Sequence, residues 1–169
     1  LLIKNLSPSQ KLIYPTSNSG YGVGEKGKYC DESSPLNPIS LYGNTKAEAE
    51  KIVLQFKNSV CFRLATVFGY SYRMRTDLLV NNFVERAVKK KKLNLFEPHF
   101  RRNYIHINDV VSAFIFAINN FDRLKGETYN IGLSNANLTK FALAKKIKKK
   151  IKDLKITIIK NKFDPDKRD

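Results

Sequence analysis

The sequence predicts an α/β protein built on a parallel sheet. Short apolar runs alternate with longer stretches of helical period along the chain. The run Leu12-Ile13-Tyr14 passes directly into Pro15-Thr16-Ser17-Asn18-Ser19-Gly20-Tyr21-Gly22. A buried strand that ends in hydroxyls and glycines is where open α/β sheets place ligands. Near the other end, Leu138, Phe141, Ala144, Ile147, Ile151 and Leu154 recur at threes and fours among lysines, which gives a helix one apolar face.

The elements follow in order. A helical tail over residues 1–5 precedes a strand at 11–14. A loop from Val23 to Pro38, rich in Gly, Ser, Pro and charge, leads to Ser40, where a helix opens and runs to residue 56. Its apolar residues Ala47, Ala49, Ile52, Val53, Leu54 and Phe56 cover more than one stripe, which predicts packing on two sides. The apolar stretch 60–67 reads as the next strand. Asp77 is placed to cap a helix ending at Lys90. Short strands are expected at 93–96 and 104–107, then an amphipathic helix over 109–121 capped by Asp109. A strand at 128–131, a helix at 138–152 and a strand at 155–159 complete the pattern.

Composition narrows the class. Thirty-one basic residues against 15 acidic ones give a net charge of +16, which invites a nucleic-acid reading. The lysines, however, gather in Lys89-Lys90-Lys91-Lys92 and on the polar face of the 138–152 helix, with no interleaved aromatic platform. They read as solvated faces that would draw an anionic substrate towards the protein, so no nucleic-acid partner is expected. No apolar run is long enough to span a membrane and no membrane partner is expected. Two cysteines, Cys30 and Cys61, make neither a disulfide framework nor a metal spacing, so the default compartment is a reducing cytoplasm.

The candidate chemistry centres on Tyr42-Gly43-Asn44-Thr45-Lys46. A tyrosine and a lysine at i and i+4 share one helix face. An ammonium beside a phenol favours the phenolate, so Tyr42 is a candidate base for a substrate hydroxyl.

The order of strand, Ser/Thr cluster, long loop and YxxxK helix resembles the extended short-chain dehydrogenase/reductase family, the NAD-dependent nucleotide-sugar epimerases and dehydratases. Three further segments resemble it: Phe62-Arg63-Leu64-Ala65-Thr66-Val67-Phe68-Gly69, Arg102-Asn103-Tyr104-Ile105-His106-Ile107-Asn108-Asp109 and Tyr129-Asn130-Ile131-Gly132. The resemblance implies a Rossmann-type domain over 1–72 and 104–132, and part of a small substrate-binding domain over 73–103 and 133–169. It implies catalysis by Ser17, Tyr42 and Lys46, with Tyr42, Lys46 and Leu64 at the NAD (or NADP) site. It implies substrate contacts from Ser17, Ser19, Thr66 and Arg102, the last gripping the diphosphate of a nucleotide-diphosphate sugar. It also implies a homodimer of the full-length parent. Family dehydratases carry an acid pair or a Glu just after the Ser/Thr, where this chain has Asn18 and Ser19. An epimerase or 4-ketoreductase is therefore expected ahead of a 4,6-dehydratase. His106 is expected to be structural, and Arg73, Arg75 and Arg101 are secondary anion candidates.

The family's glycine-rich NAD turn precedes its Ser/Thr strand, and the glycines at 20–24 follow that strand instead. The chain is thus expected to be a fragment. Made alone, the 169-residue chain is expected to give no NAD binding by calorimetry, because the pyrophosphate lacks its cradle, whereas the full-length parent binds. Micromolar binding by a monomeric, cooperatively melting chain would overturn that expectation.

Overall fold

The computed structural model describes residues 2–24 and 28–160. Leu1 of the predicted tail, the 25–27 part of the predicted loop and the residues beyond 160 lie outside them. The described chain divides into two compact units, one of residues up to Thr66 with Asn108–Gly132, the other of Val67–Ile107 with the residues from Leu133.

Unit 1 is a parallel sheet covered on both faces. Strands β1 (Leu12–Ser17), β2 (Ser59–Leu64) and β6 (Thr128–Ile131) lie in the order β1-β2-β6, all parallel. The register pairs Tyr14 with Cys61, Thr16 with Arg63 and Ser17 with Leu64. β2 is central and buried along most of its length, and its period of two sorts its side chains. Val60, Phe62 and Leu64 pack with Ala113, Phe114 and Ala117 of helix α3 (Ile107–Asn119) and with Phe121 of the short helix α4 (Phe121–Leu124). Phe62 and Phe114 meet edge to face at 5.2 Å. Ser59 and Arg63 turn the other way, to helix α1 (Leu41–Leu54), where the Ser59 hydroxyl donates to Val53 O at 2.9 Å. Burying an aromatic such as Phe121 stabilises the fold by about 1.5–3 kcal/mol.

Ser40 caps α1, accepting from the Gly43 N–H at 3.1 Å. The helix buries Gly43, Ala47, Glu50 and Val53 as one stripe and leaves Leu41 and Ile52 exposed. The two-sided packing expected of it is therefore one-sided within this unit.

Unit 2 holds β4 (Lys92–Leu95) parallel to β8 (Lys155–Ile158), and β5 (Arg101–His106) antiparallel to β7 (Asn137–Thr139). Strand β3 (Thr66–Phe68) neighbours β5. Helix α2 (Leu79–Lys90) contributes Val80, Phe83 and Ala87 to the core, and α5 (Lys140–Lys150) contributes Leu143, Ala144 and Ile147, around Leu93, Leu95, Tyr104 and Leu154. The lysines of α5 from Lys148 to Lys150 are exposed.

Several boundaries moved. The stretch 60–67 is two strands, because β2 pairs with β1 and β6 whereas β3 neighbours β5 in a different sheet. Asp77 does not cap α2: Leu78 occupies the N-cap with no side-chain bond, and Arg75 takes the Asp77 carboxylate at 2.6 Å. That guanidinium holds the carboxyl down to about 2. Asp109 lies within the first turn of α3 instead of capping it. Leu138 and Thr139 belong to β7, and Thr139 caps α5 by accepting from Ala142 N at 3.0 Å.

Burial pushes the Cys61 thiol up to about 12, with the nearby Glu50 carboxylate adding to the effect. The thiolate is the reactive form. Iodoacetamide at pH 8 should therefore label exposed Cys30 and spare Cys61 until the chain is unfolded, read by peptide mass mapping.

Candidate active site

β1 ends at the site, and its last residue builds the turn that follows. Ser17 Oγ accepts from the Ser19 N–H at 3.1 Å and donates to Ser19 Oγ at 3.0 Å, closing a 3-10 turn over Asn18–Tyr21. Gly22 ends it with φ of 69°, and any Cβ there would collide with the Asn37 carbonyl. Only glycine is tolerated at such a position.

The helix that carries Tyr42 packs directly on this turn. A Cβ on Gly43 would stand 2.8 Å from Ser19 O and 2.9 Å from Pro38 Cβ. The missing side chain thus lets the first turn of α1 lie against the Ser17–Ser19 backbone. Tyr42, at the adjoining position, is 56% exposed. Lys46 follows one turn later and its ammonium donates to Pro15 O at 3.0 Å. It also stands 3.5 Å from the Tyr14 hydroxyl, over that ring at 5.0 Å from the centroid. Thr16 is buried and its hydroxyl donates to Lys46 O at 3.4 Å, which ties the helix backbone to β1.

Ser17, Ser19, Tyr42, Lys46, Leu64 and Thr66 all fall in unit 1, with Ser17 and Leu64 paired at the carboxyl ends of adjacent parallel strands. Arg102 belongs to unit 2, on β5, and donates to Arg101 O at 2.6 Å. His106 meets Phe68 edge to face at 5.4 Å. A Cβ on Gly69, whose φ is 141°, would stand 3.1 Å from the His106 ring and 2.6 Å from Ile107.

A buried network behind the site was missed by sequence reading. Arg63 is 7% exposed and Glu50 3%. The guanidinium donates from Nε at 3.1 Å and from Nη2 at 2.6 Å to Glu50 Oε1. Its Nη1 donates to the Tyr21 hydroxyl at 2.8 Å and to Glu32 O at 3.2 Å. Tyr21 donates onward to Asn130 Oδ1 at 2.8 Å, and the Asn130 N–H donates to Glu32 Oε1 at 2.6 Å. Burial pushes the Tyr21 phenol up, and its bonds to Arg63 and Asn130 only partly oppose this, so it stays a neutral donor. Burial alone would depress the Arg63 guanidinium, but the bonds to Glu50 and Tyr21 outweigh it and hold the charge. The available signal was a charge inside an apolar strand, Val60-Cys61-Phe62-Arg63-Leu64, which demands a buried partner.

The donor set suits a nicotinamide nucleotide. Lys46 has three N–H donors, of which Pro15 O and the Tyr14 hydroxyl account for two among the described residues. A ribose hydroxyl at the strand ends could accept the third.

This arrangement defines a parallel α/β unit of Rossmann type with a Tyr/Lys pair on its first α-helix. The model of the NAD dependent epimerase/dehydratase family matches residues 2–132, and the chain belongs to that family. A Bacillus subtilis (strain 168) protein named as an uncharacterized UDP-glucose epimerase is 33% identical over 129 residues, 73% of this chain and 39% of its own length. The dTDP-D-glucose 4,6-dehydratase of Bos taurus is 30% identical over 151 residues, 85% of this chain and 41% of its own length. The chain spans about two fifths of the length of these curated relatives. Among solved structures, Bacillus anthracis dTDP-glucose 4,6-dehydratase in complex with NAD superposes with a TM-score of 0.82 at 26% identity, over 96% of this chain and 53% of that one. Bacillus cereus UDP-glucuronic acid 4-epimerase, in complex with UDP-glucuronic acid and NAD, gives 0.80 at 24% identity, over 94% and 51%, which supports the fold. The family is one of NAD-dependent enzymes, and both epimerases and dehydratases are among the relatives.

Breaking the buried pair should be costly. Glu50→Ala strands the Arg63 guanidinium and should lower unfolding free energy by about 3–5 kcal/mol, whereas replacing both partners with well-packed apolar residues should cost much less. Urea melts of the single and double variants check this.

Proposed function

We propose that the protein of which this chain is part is an NAD(P)-dependent nucleotide-sugar epimerase or 4-ketoreductase. The observation that favours this over a 4,6-dehydratase is the turn after Ser17. Expelling a sugar hydroxyl as water needs a general acid, and the turn offers Asn18 and Ser19, neither of which can donate as a carboxylic acid. The two carboxylates of the network behind it are committed elsewhere, Glu50 to Arg63 and Glu32 to the Asn130 N–H.

Tyr42 as phenolate accepts the proton of the sugar hydroxyl. Ser17 hydrogen-bonds the same oxygen and orients it. Lys46 supports the phenolate by its positive charge and holds the nicotinamide ribose, with Leu64 against the ring. NAD, when bound, supplies reversible hydride acceptance at the carbon that bears this hydroxyl. Ser19 and Thr66 contact the sugar, and Arg102, assigned by its motif, takes the diphosphate through the forked geometry that suits oxyanions. An epimerase must let the keto sugar turn over before Tyr42 returns the proton. A ketoreductase starts from the keto sugar and runs the proton step once.

In the full-length protein, Tyr42→Phe should lower turnover by about 10²–10⁴-fold and leave nucleotide binding nearly intact. Unchanged turnover would remove Tyr42 from the role of base. Mass spectrometry of the product should show the mass of the substrate, or of its reduced form, and loss of water would assign the dehydratase instead.

A further inference from the structure

The turn after β1 is held by side chains more than by its own backbone. The bond that closes it, from the Gly22 N–H to Ser19 O, is long at 3.4 Å, in keeping with the poorer hydrogen-bond geometry of 3-10 turns. At its start, Ser17 Oγ accepts from the Ser19 N–H at 3.1 Å and donates to Ser19 Oγ at 3.0 Å. A ligand affects these two bonds differently. A hydroxyl has one proton to give and two lone pairs to offer. A substrate oxygen that takes the Ser17 proton replaces Ser19 Oγ and leaves the bond from the Ser19 N–H in place. The position of Ser17 Oγ therefore follows the backbone of the turn.

Tyr21 fixes the far end of that turn. It is 7% exposed, and its hydroxyl accepts from Arg63 Nη1 and donates to Asn130 Oδ1, both at 2.8 Å. Its ring centroid lies 5.0 Å from the same guanidinium. Arg63 stands on β2 and Asn130 on β6, so one phenol ties the turn after β1 to the two neighbouring strands. A buried hydroxyl adds little net stability over an apolar ring of the same shape. What it adds is direction, because two bonds of defined geometry fix where the ring and its backbone stand. Helix α1 does not depend on this phenol, since Glu50 accepts its own three contacts from Arg63.

We propose that Tyr21 is a positioning residue for the reaction: by holding the Asn18–Tyr21 turn to Arg63 and Asn130, it sets where Ser17 Oγ stands when a sugar oxygen takes its proton. The inference rests on the reading of Ser17 as the hydroxyl that bonds the sugar oxygen. Tyr21 acts only through Ser17.

Steady-state kinetics of the full-length protein carrying Tyr21→Phe, Ser17→Ala or both test it, at a temperature where circular dichroism shows each variant folded. Tyr21→Phe should lower kcat about tenfold, since misplacing a reacting group by about 1 Å suffices for such a loss. KM should be nearly unchanged. The acidic limb of the pH profile should stay in place, because Tyr42 keeps its surroundings. In the Ser17→Ala background the same substitution should change kcat by about twofold or less, because no hydroxyl remains to be misplaced. Asn130→Leu keeps Tyr21 and removes one of its partners. It should also lower kcat in the parent and not in the Ser17→Ala background, and it decides the matter if Tyr21→Phe does not fold. An equal loss in both backgrounds is general loosening of the site and overturns the proposal, as does an unchanged kcat in the parent background. Undiminished turnover in Ser17→Ala itself is a different failure: it removes Ser17 from the proposed function, and the positioning role with it.

Discussion

The Arg63–Glu50 ion pair is the constraint on which the candidate active site depends. It joins the central strand to the middle of the helix that carries Tyr42 and Lys46, and both partners are almost wholly removed from water. Two charges taken out of water are tolerated only when their remaining hydrogen-bonding capacity is met. Here Glu50 accepts three contacts from one guanidinium, and the guanidinium's remaining Nη1 is shared between Tyr21 and Glu32 O. Tyr21 closes the turn begun by Ser17, and Asn130 belongs to the neighbouring strand. One cation therefore references β1, β2, β6, α1 and the 28–40 loop to a common point. An apolar contact would stabilise as much, but without fixing the rotation of α1 about its axis, and that rotation decides where a phenol and an ammonium stand.

Much of this fold could be read from residue order. The β2 run was visible because it is apolar and bounded, and α1 because Ser40 precedes a helical stretch. The boundaries that failed did so for identifiable reasons. Asp77 looked like a cap until Arg75, two residues away, proved the stronger partner for its carboxylate. Leu138 fits the helical period of α5, yet it lies in β7 opposite Arg102 of β5, because tertiary pairing overrides a marginal first turn. Ile52 fits a second apolar stripe on α1 and is half exposed in this unit.

The candidate site divides in the same way. Tyr42, Lys46 and Ser17 were visible because their spacing is local or tied to a strand end. The network behind them links residues 13 and 109 positions apart, and no local pattern encodes such a pairing. What sequence does encode is an anomaly. A charge within Val60–Leu64 and a Glu on the buried stripe of α1 are each unfavourable alone, and complementary anomalies in one unit are most economically satisfied by each other. Lys140 is a parallel case in unit 2, buried at the start of α5 with its ammonium on Phe96 O at 3.1 Å and over the Phe96 and Phe100 rings. It pins the 96–100 loop as Arg63 pins the turn after β1.

Lys46 differs from Arg63 in how its charge is compensated. Arg63 meets a carboxylate, whereas Lys46 meets a carbonyl, a hydroxyl and the face of a phenol ring, none of which carries a full negative charge. Its position is thus fixed while its electrostatic influence is left for other groups. On the proposed reading this is what the phenolate of Tyr42 requires, since a lysine already neutralised by an acid would contribute little field. The exposure of Tyr42 sets the complementary condition. A half-solvated phenol feels an ammonium only weakly, because water screens it, and the interaction strengthens when ligands exclude that water. On that reading, the same lysine becomes effective when a nucleotide sugar and NAD occupy the strand ends. On the proposed reading, proton transfer from the sugar is coupled to occupancy of the site through the dielectric around one phenol.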